Sequence, residues 1–78
     1  MNNYVATFYS HYDALMYFSF LQEQGVEAKL APVPRKVSAS CGTCVLFFAK
    51  NLEGLIDGEI EAIYLQADNK AKLVWADE

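Results

Sequence analysis

Apolar and polar positions change period repeatedly along the chain, and each change marks a predicted element. Tyr4 to Tyr9 is short, β-branched and aromatic and stops at a polar break, which predicts a first strand. Ser10 then stands where a helix N-cap belongs, with Asp13 three residues on as a short-armed capping box, and Gly25 supplies a left-handed stop. The helix is expected over Tyr12 to Gln24. On its wheel Ala14, Leu15, Phe18 and Leu21 share a core face with Tyr17 on the flank, while Tyr12, Met16 and Phe20 climb the opposite side.

Val26, Ala28 and Leu30 alternate with Glu27 and Lys29, the period of a strand with one wet face. Pro32 and Pro34 remove backbone donors, so the strand should end there and a loop should run through Ser40. Thr43 to Lys50 is apolar on both alternating sets, which predicts a central strand covered on each side. Asn51 is placed to cap a short helix through Leu52, Leu55 and Ile56 with Gly58 as its stop, although Gly54 weakens it. Glu59 to Gln66 reads as a fourth strand, Asp68-Asn69 as a turn and Lys72 to Trp75 as an added strand. The order is βαββαβ plus a tail: an α+β, ferredoxin-like fold with an antiparallel sheet, two helices on one face and an extra C-terminal strand.

The length changes this picture in one respect. The 78 residues make a single domain, 1–78, and 54% apolar residues argue for a folded chain. A core of this size supplies only about 3–5 kcal/mol, so self-association is expected. Tyr12, Met16 and Phe20 are the expected interface, since an apolar stripe opposite the core face marks a contact surface. The start Met1-Asn2-Asn3-Tyr4-Val5 lacks the basic and apolar regions of a secretory signal, and the longest apolar run, Cys44 to Ala49, is too short for a membrane helix. The expectation is a cytoplasmic protein without a membrane partner.

A net charge of −4 disfavours nucleic acid as a partner, yet Ala28 to Leu52 contains no Asp or Glu and carries Lys29, Arg35, Lys36 and Lys50. This acid-free segment encloses both cysteines, Cys41 and Cys44. Their spacing suits a dithiol or a metal pair, but they precede a strand instead of opening a helix, and an extended chain would point them to opposite faces. With His11 as the single histidine, no zinc set is completed, and the sequence calls for neither metal nor cofactor. His11 itself, on a loop or first helical turn, is given no role. Cys44 opens an apolar run and reads as core. Cys41 closes a loop of small polar residues near Arg35 and Lys36, where a thiolate can be reached and its charge favoured, and is the candidate nucleophile. Gly42 beside it is expected to need a positive φ.

The loop Pro34-Arg35-Lys36-Val37-Ser38-Ala39-Ser40-Cys41-Gly42 resembles that of the small bacterial family described as selenium/sulfur carrier protein-like. The opening Tyr4 to Leu15 and Gly25-Val26 are similar to that family in the same order. The resemblance implies a ferredoxin-like domain in which Cys41 holds sulfur or selenium as a persulfide or its selenium counterpart, with a sulfur or selenium donor or acceptor protein as partner. Arg35, Ser38, Ser40 and Gly42 form the supporting loop, with Arg35 and the loop amides stabilising the thiolate. Cys44, the glycine-bearing second helix and the tail Asn69 to Glu78 depart from the family pattern. Two further readings stay open: a non-catalytic protein interaction module, and thiol–disulfide exchange through Cys41 and Cys44.

Overall fold

In the computed structural model, which describes residues 1–77, the chain runs β1 (Asn2–Thr7), α1 (His11–Glu23), β2 (Ala28–Pro32), β3 (Thr43–Ala49), β4 (Ala62–Ala67) and β5 (Lys70–Ala76). The strands form one antiparallel sheet in the order β2-β3-β1-β4-β5. The fold is therefore α+β, but the two-helix ferredoxin-like arrangement is not matched: the described residues hold one helix and a five-stranded sheet.

Directly opposed residues share a sheet face. Tyr4, Phe47 and Leu65 make one row and Ala6, Val45 and Ile63 the next, and Ala14, Tyr17 and Leu21 of α1 join the same core. Phe47 stacks on Tyr4 at 5.2 Å between centroids and meets Tyr17 edge-on at 5.9 Å. Burying such a ring contributes about 1.5–3 kcal/mol. The other face carries Val5, Leu46 and Tyr64, then Thr7, Cys44 and Ala62.

The helix begins as its capping residues require. Ser10 Oγ accepts the Asp13 amide at 3.2 Å and donates to Asp13 Oδ2 at 2.9 Å, and Gly25 follows the helix at φ +75°. Its core face differs from the expected one. Tyr17 is buried and Leu15 is 39% exposed, because the burial follows Ala14, Tyr17, Phe18 and Leu21, the i, i+3, i+4, i+7 set. Tyr17 is held inside by its hydroxyl, which donates to the Leu55 carbonyl at 2.7 Å. Tyr12 and Met16 are exposed as expected, but Phe20 is half-buried and stacks on Tyr17 at 6.0 Å. Four-residue steps each rotate about 40° beyond a full turn, so the outer stripe has drifted to the core flank by Phe20.

Instead of a second helix, residues 50–61 form a series of turns. Asn51 Oδ1 accepts the Glu53 amide at 2.9 Å, the Leu55 amide reaches the Leu52 carbonyl at 3.0 Å, and the segment then breaks. Gly54 and Gly58 both lie at φ +74°, a conformation no helix can include. Leu55 and Ile60 are its buried pegs in the core.

The expected turn is a two-residue hairpin in which Asp68 (φ 51°) and Asn69 (φ 63°) both adopt the left-handed region of a type I′ turn. β5 is longer than the sequence suggests and fills most of the divergent tail, of which Glu78 lies outside the described residues. No described helix is long and apolar enough to cross a membrane.

Candidate functional site

β3 begins where β1 ends, with Thr7 opposite Cys44. Helix α1 starts shortly after β1, so the Cys41 loop, the start of α1 and the start of β4 meet at one end of the sheet. The loop is closed at its neck by the Val33 amide donating to the Gly42 carbonyl at 3.1 Å. Within it Pro34 to Val37 makes a turn, the Val37 amide reaching the Pro34 carbonyl at 3.1 Å, and Val37 is buried.

Val5, Thr7 and Cys44 lie on the sheet face away from the helix, yet all are fully buried. The 33–42 segment leaves the edge strand β2 and returns to β3, and its Ser40 is bonded to Glu61, beyond β1. Its path from β2 past β3 to Glu61 makes it a roof over this end of the sheet, and within it Val37 is buried. At the far end of β3, Phe48 is 42% exposed instead of covered on both sides as the sequence pattern suggested.

Glu61 anchors the roof. Its Oε1 accepts the Ser40 amide at 3.0 Å and its Oε2 accepts the Ser40 hydroxyl. Burial acts to raise the pKa of this carboxyl but is outweighed by the two Ser40 bonds and the Thr7 hydroxyl, which hold it below the ordinary range. The Glu61 backbone is itself fixed, its amide donating to the Thr7 carbonyl at 2.8 Å and its carbonyl accepting the Asp77 amide at 3.0 Å. Asp77 in turn accepts the Tyr9 hydroxyl at 3.0 Å.

Cys41, next in sequence after the anchored Ser40, is a partly exposed free thiol. Its Sγ accepts the Thr43 amide at 3.3 Å and donates to the Thr43 carbonyl at 3.4 Å. A backbone donor is therefore already aimed at the sulfur when it carries charge. Thr43 Oγ1 lies 3.1 Å from His11 Nδ1, so His11 is linked to the thiol through one residue. Cys44 is different in kind: fully buried, its thiol faces the Pro32 carbonyl at 3.6 Å. Burial first, and neighbouring Cys41 second, push its pKa up to about 11.

Arg35, Ser38, Ser40 and Gly42 are exposed. The Ser40 amide is engaged by Glu61, and the amide that meets Cys41 is that of Thr43. Gly42 does not lie at positive φ, and a Cβ there would meet nothing within 4 Å, so its expected backbone requirement is absent. Glu61, Thr43 and His11 were not singled out by the sequence. The signal for His11 and Thr43 was available, since pairing the end of β1 with the start of β3 brings the residues after one beside those before the other. Glu61 carried none, because its contact with Ser40 depends on the path of an irregular loop. Among the described residues no three His, Cys, Asp or Glu side chains gather as a metal set.

No curated protein and no solved structure matches the chain. A family model matches residues 3–69, from β1 through the Cys41 loop to the hairpin turn before β5, and the chain therefore belongs to the family described as "Putative Se/S carrier protein-like".

Proposed function

We propose that the protein carries sulfur or selenium on Cys41. The observation that carries this reading is the contrast between the two thiols: Cys41 is partly exposed with the Thr43 amide on its sulfur, whereas Cys44 is fully buried. Family membership supplies the class of cargo. The Cys41 thiolate attacks the terminal sulfur of a persulfide donor R–S–S–H. The Cys41 Sγ–S bond forms as the bond to R–S breaks, R–S⁻ leaves, and Cys41 is left as Cys–S–S–H; a terminal selenium atom follows the same course. Transfer to an acceptor thiolate is the reverse reaction with a new partner. Arg35 and Lys36, exposed on the loop, give the donor or acceptor protein a cationic approach. Exposed Tyr12 and Met16 on α1 are the surface we assign to self-association.

The burial of Cys44 favours single-thiol carriage over dithiol exchange as the resting chemistry. The test is incubation with glutathione persulfide followed by peptide mapping. One added sulfur on the Cys41 peptide, lost in Cys41→Ser and retained in Cys44→Ser, is the expected result. An unmodified Cys41 under conditions that load a free cysteine peptide overturns the proposal.

A further inference from the structure

We infer that Glu61 is a positioning residue that latches the Cys41 loop, and that by holding Ser40 it keeps Cys44 out of reach of sulfur carried on Cys41. The consequence for sulfur rests on the carrier reading; the latch itself does not.

The geometry begins with the anchor. Both carboxylate oxygens of Glu61 are taken by one residue, Ser40, immediately before the thiol. Charge-assisted bonds of this kind are the stronger ones, and here they join a loop to a backbone fixed on both sides by Thr7 and Asp77. The roof's other ties are the neck at Val33 and Gly42 and the buried Val37. Releasing Ser40 leaves the Cys41 arm held by the neck, by buried Val37 and by the bonds of Cys41 to Thr43, with no tie across the sheet to Glu61. The thiol that this arm would uncover is Cys44, three residues along the chain at the start of β3, buried with its Sγ facing the Pro32 carbonyl.

That proximity has a chemical cost for a carrier. Once Cys41 is a persulfide, an accessible Cys44 thiolate can attack Cys41 Sγ. The Cys41–Cys44 disulfide forms, the Sγ–S bond to the cargo breaks, and the sulfur departs as HS⁻, the proton of Cys44 having passed to solvent. The Cys44 sulfur is oxidised by one electron and the outer sulfur is reduced by one, while Cys41 Sγ keeps its oxidation state, so no outside oxidant is required. With the latch closed, Cys44 stays buried and the cargo stays on Cys41 until an acceptor arrives.

The experiment compares wild type with Glu61→Ala, Glu61→Gln, Ser40→Ala and the double variant Ser40→Ala/Glu61→Ala, each first shown to be folded by its near-ultraviolet circular dichroism. The first arm uses no sulfur: alkylation of Cys44 by iodoacetamide in a Cys41→Ser background. Glu61→Ala is expected to react about tenfold faster than wild type, the change that follows from losing about 1.4 kcal/mol of anchoring. Glu61→Gln, which keeps an acceptor for Ser40, should restore part of the protection, and the double variant should react no faster than Glu61→Ala alone. The second arm loads Cys41 and follows sulfide release together with the intramolecular disulfide. Release should accelerate in Glu61→Ala and vanish when Cys44→Ser is added. If Glu61→Ala does not fold, Ser40→Ala carries the comparison. Cys44 alkylation within twofold of wild type in folded Glu61→Ala, or in Ser40→Ala in its place, overturns the inference. A wild-type Cys41 that takes up no sulfur overturns the carrier reading instead and leaves the first arm to decide the latch.

Discussion

Raising the pH through the range in which thiols ionise should destabilise the protein through Cys44, and deleting that thiol should remove the effect. Cys44 is fully buried, and burial, with a smaller contribution from Cys41, raises its pKa from the ordinary 9.0 to about 11. The folded value lies above the unfolded one, so the folded state holds the proton more tightly. The associated stability is complete below about pH 9 and is lost as the pH rises through about 11. A shift of this size corresponds to roughly 2–3 kcal/mol at most, a large part of the stability of a small domain. The assay is urea unfolding at pH 8, 10 and 11 for wild type, Cys44→Ala and Cys41→Ala. With a slope of about 1 kcal/mol per molar urea, the wild-type midpoint should fall by about 1–2 M more than that of Cys44→Ala. The alanine variant starts lower by a pH-independent offset from the lost packing. Tyrosine ionisation, including that of buried Tyr17, is common to all three proteins and cancels in the comparison. Parallel pH curves for wild type and Cys44→Ala would refute the reasoning.

Tyr17→Phe removes the 2.7 Å bond to the Leu55 carbonyl and leaves a buried acceptor, so thermal unfolding should show a loss of about 1–2 kcal/mol. Gly42→Ala should be neutral or slightly stabilising, since the site is open and φ is not positive, whereas Gly25→Ala, at φ +75°, should cost about 1 kcal/mol in the same denaturation assay. Light scattering at tens of micromolar should show a dimer that Met16→Glu weakens, because Tyr12 and Met16 are exposed on α1; a strict monomer would remove the self-association proposal.

The parts of the fold written in short-range chemistry were legible in the sequence. Ser10 and Asp13 marked the helix start, Gly25 its end, and Asp68-Asn69 the hairpin, because each acts on its own backbone. The helix face was legible only approximately. Leu15 and Tyr17 are both plausible inward residues on a wheel, and the choice between them was made by the Leu55 carbonyl, far away in sequence. The missing second helix has a local cause: Gly54 and Gly58 lie four residues apart, and both adopt positive φ.

The site divided in the same way. Burial of Cys44 followed from its apolar neighbours, and the partial exposure of Cys41 from its polar ones. The groups that hold Cys41 in place were not legible, because Thr43, His11 and Glu61 reach the loop through strand register and the course of a closed loop. No periodicity encodes those contacts.

Limiting alkylation of the folded protein followed by peptide mapping decides whether Cys41 is the thiol that reacts. Label should accumulate first on Cys41 while Cys44 remains protected until the fold is opened by denaturant. Equal labelling of the two thiols, or preferential labelling of Cys44, would contradict it.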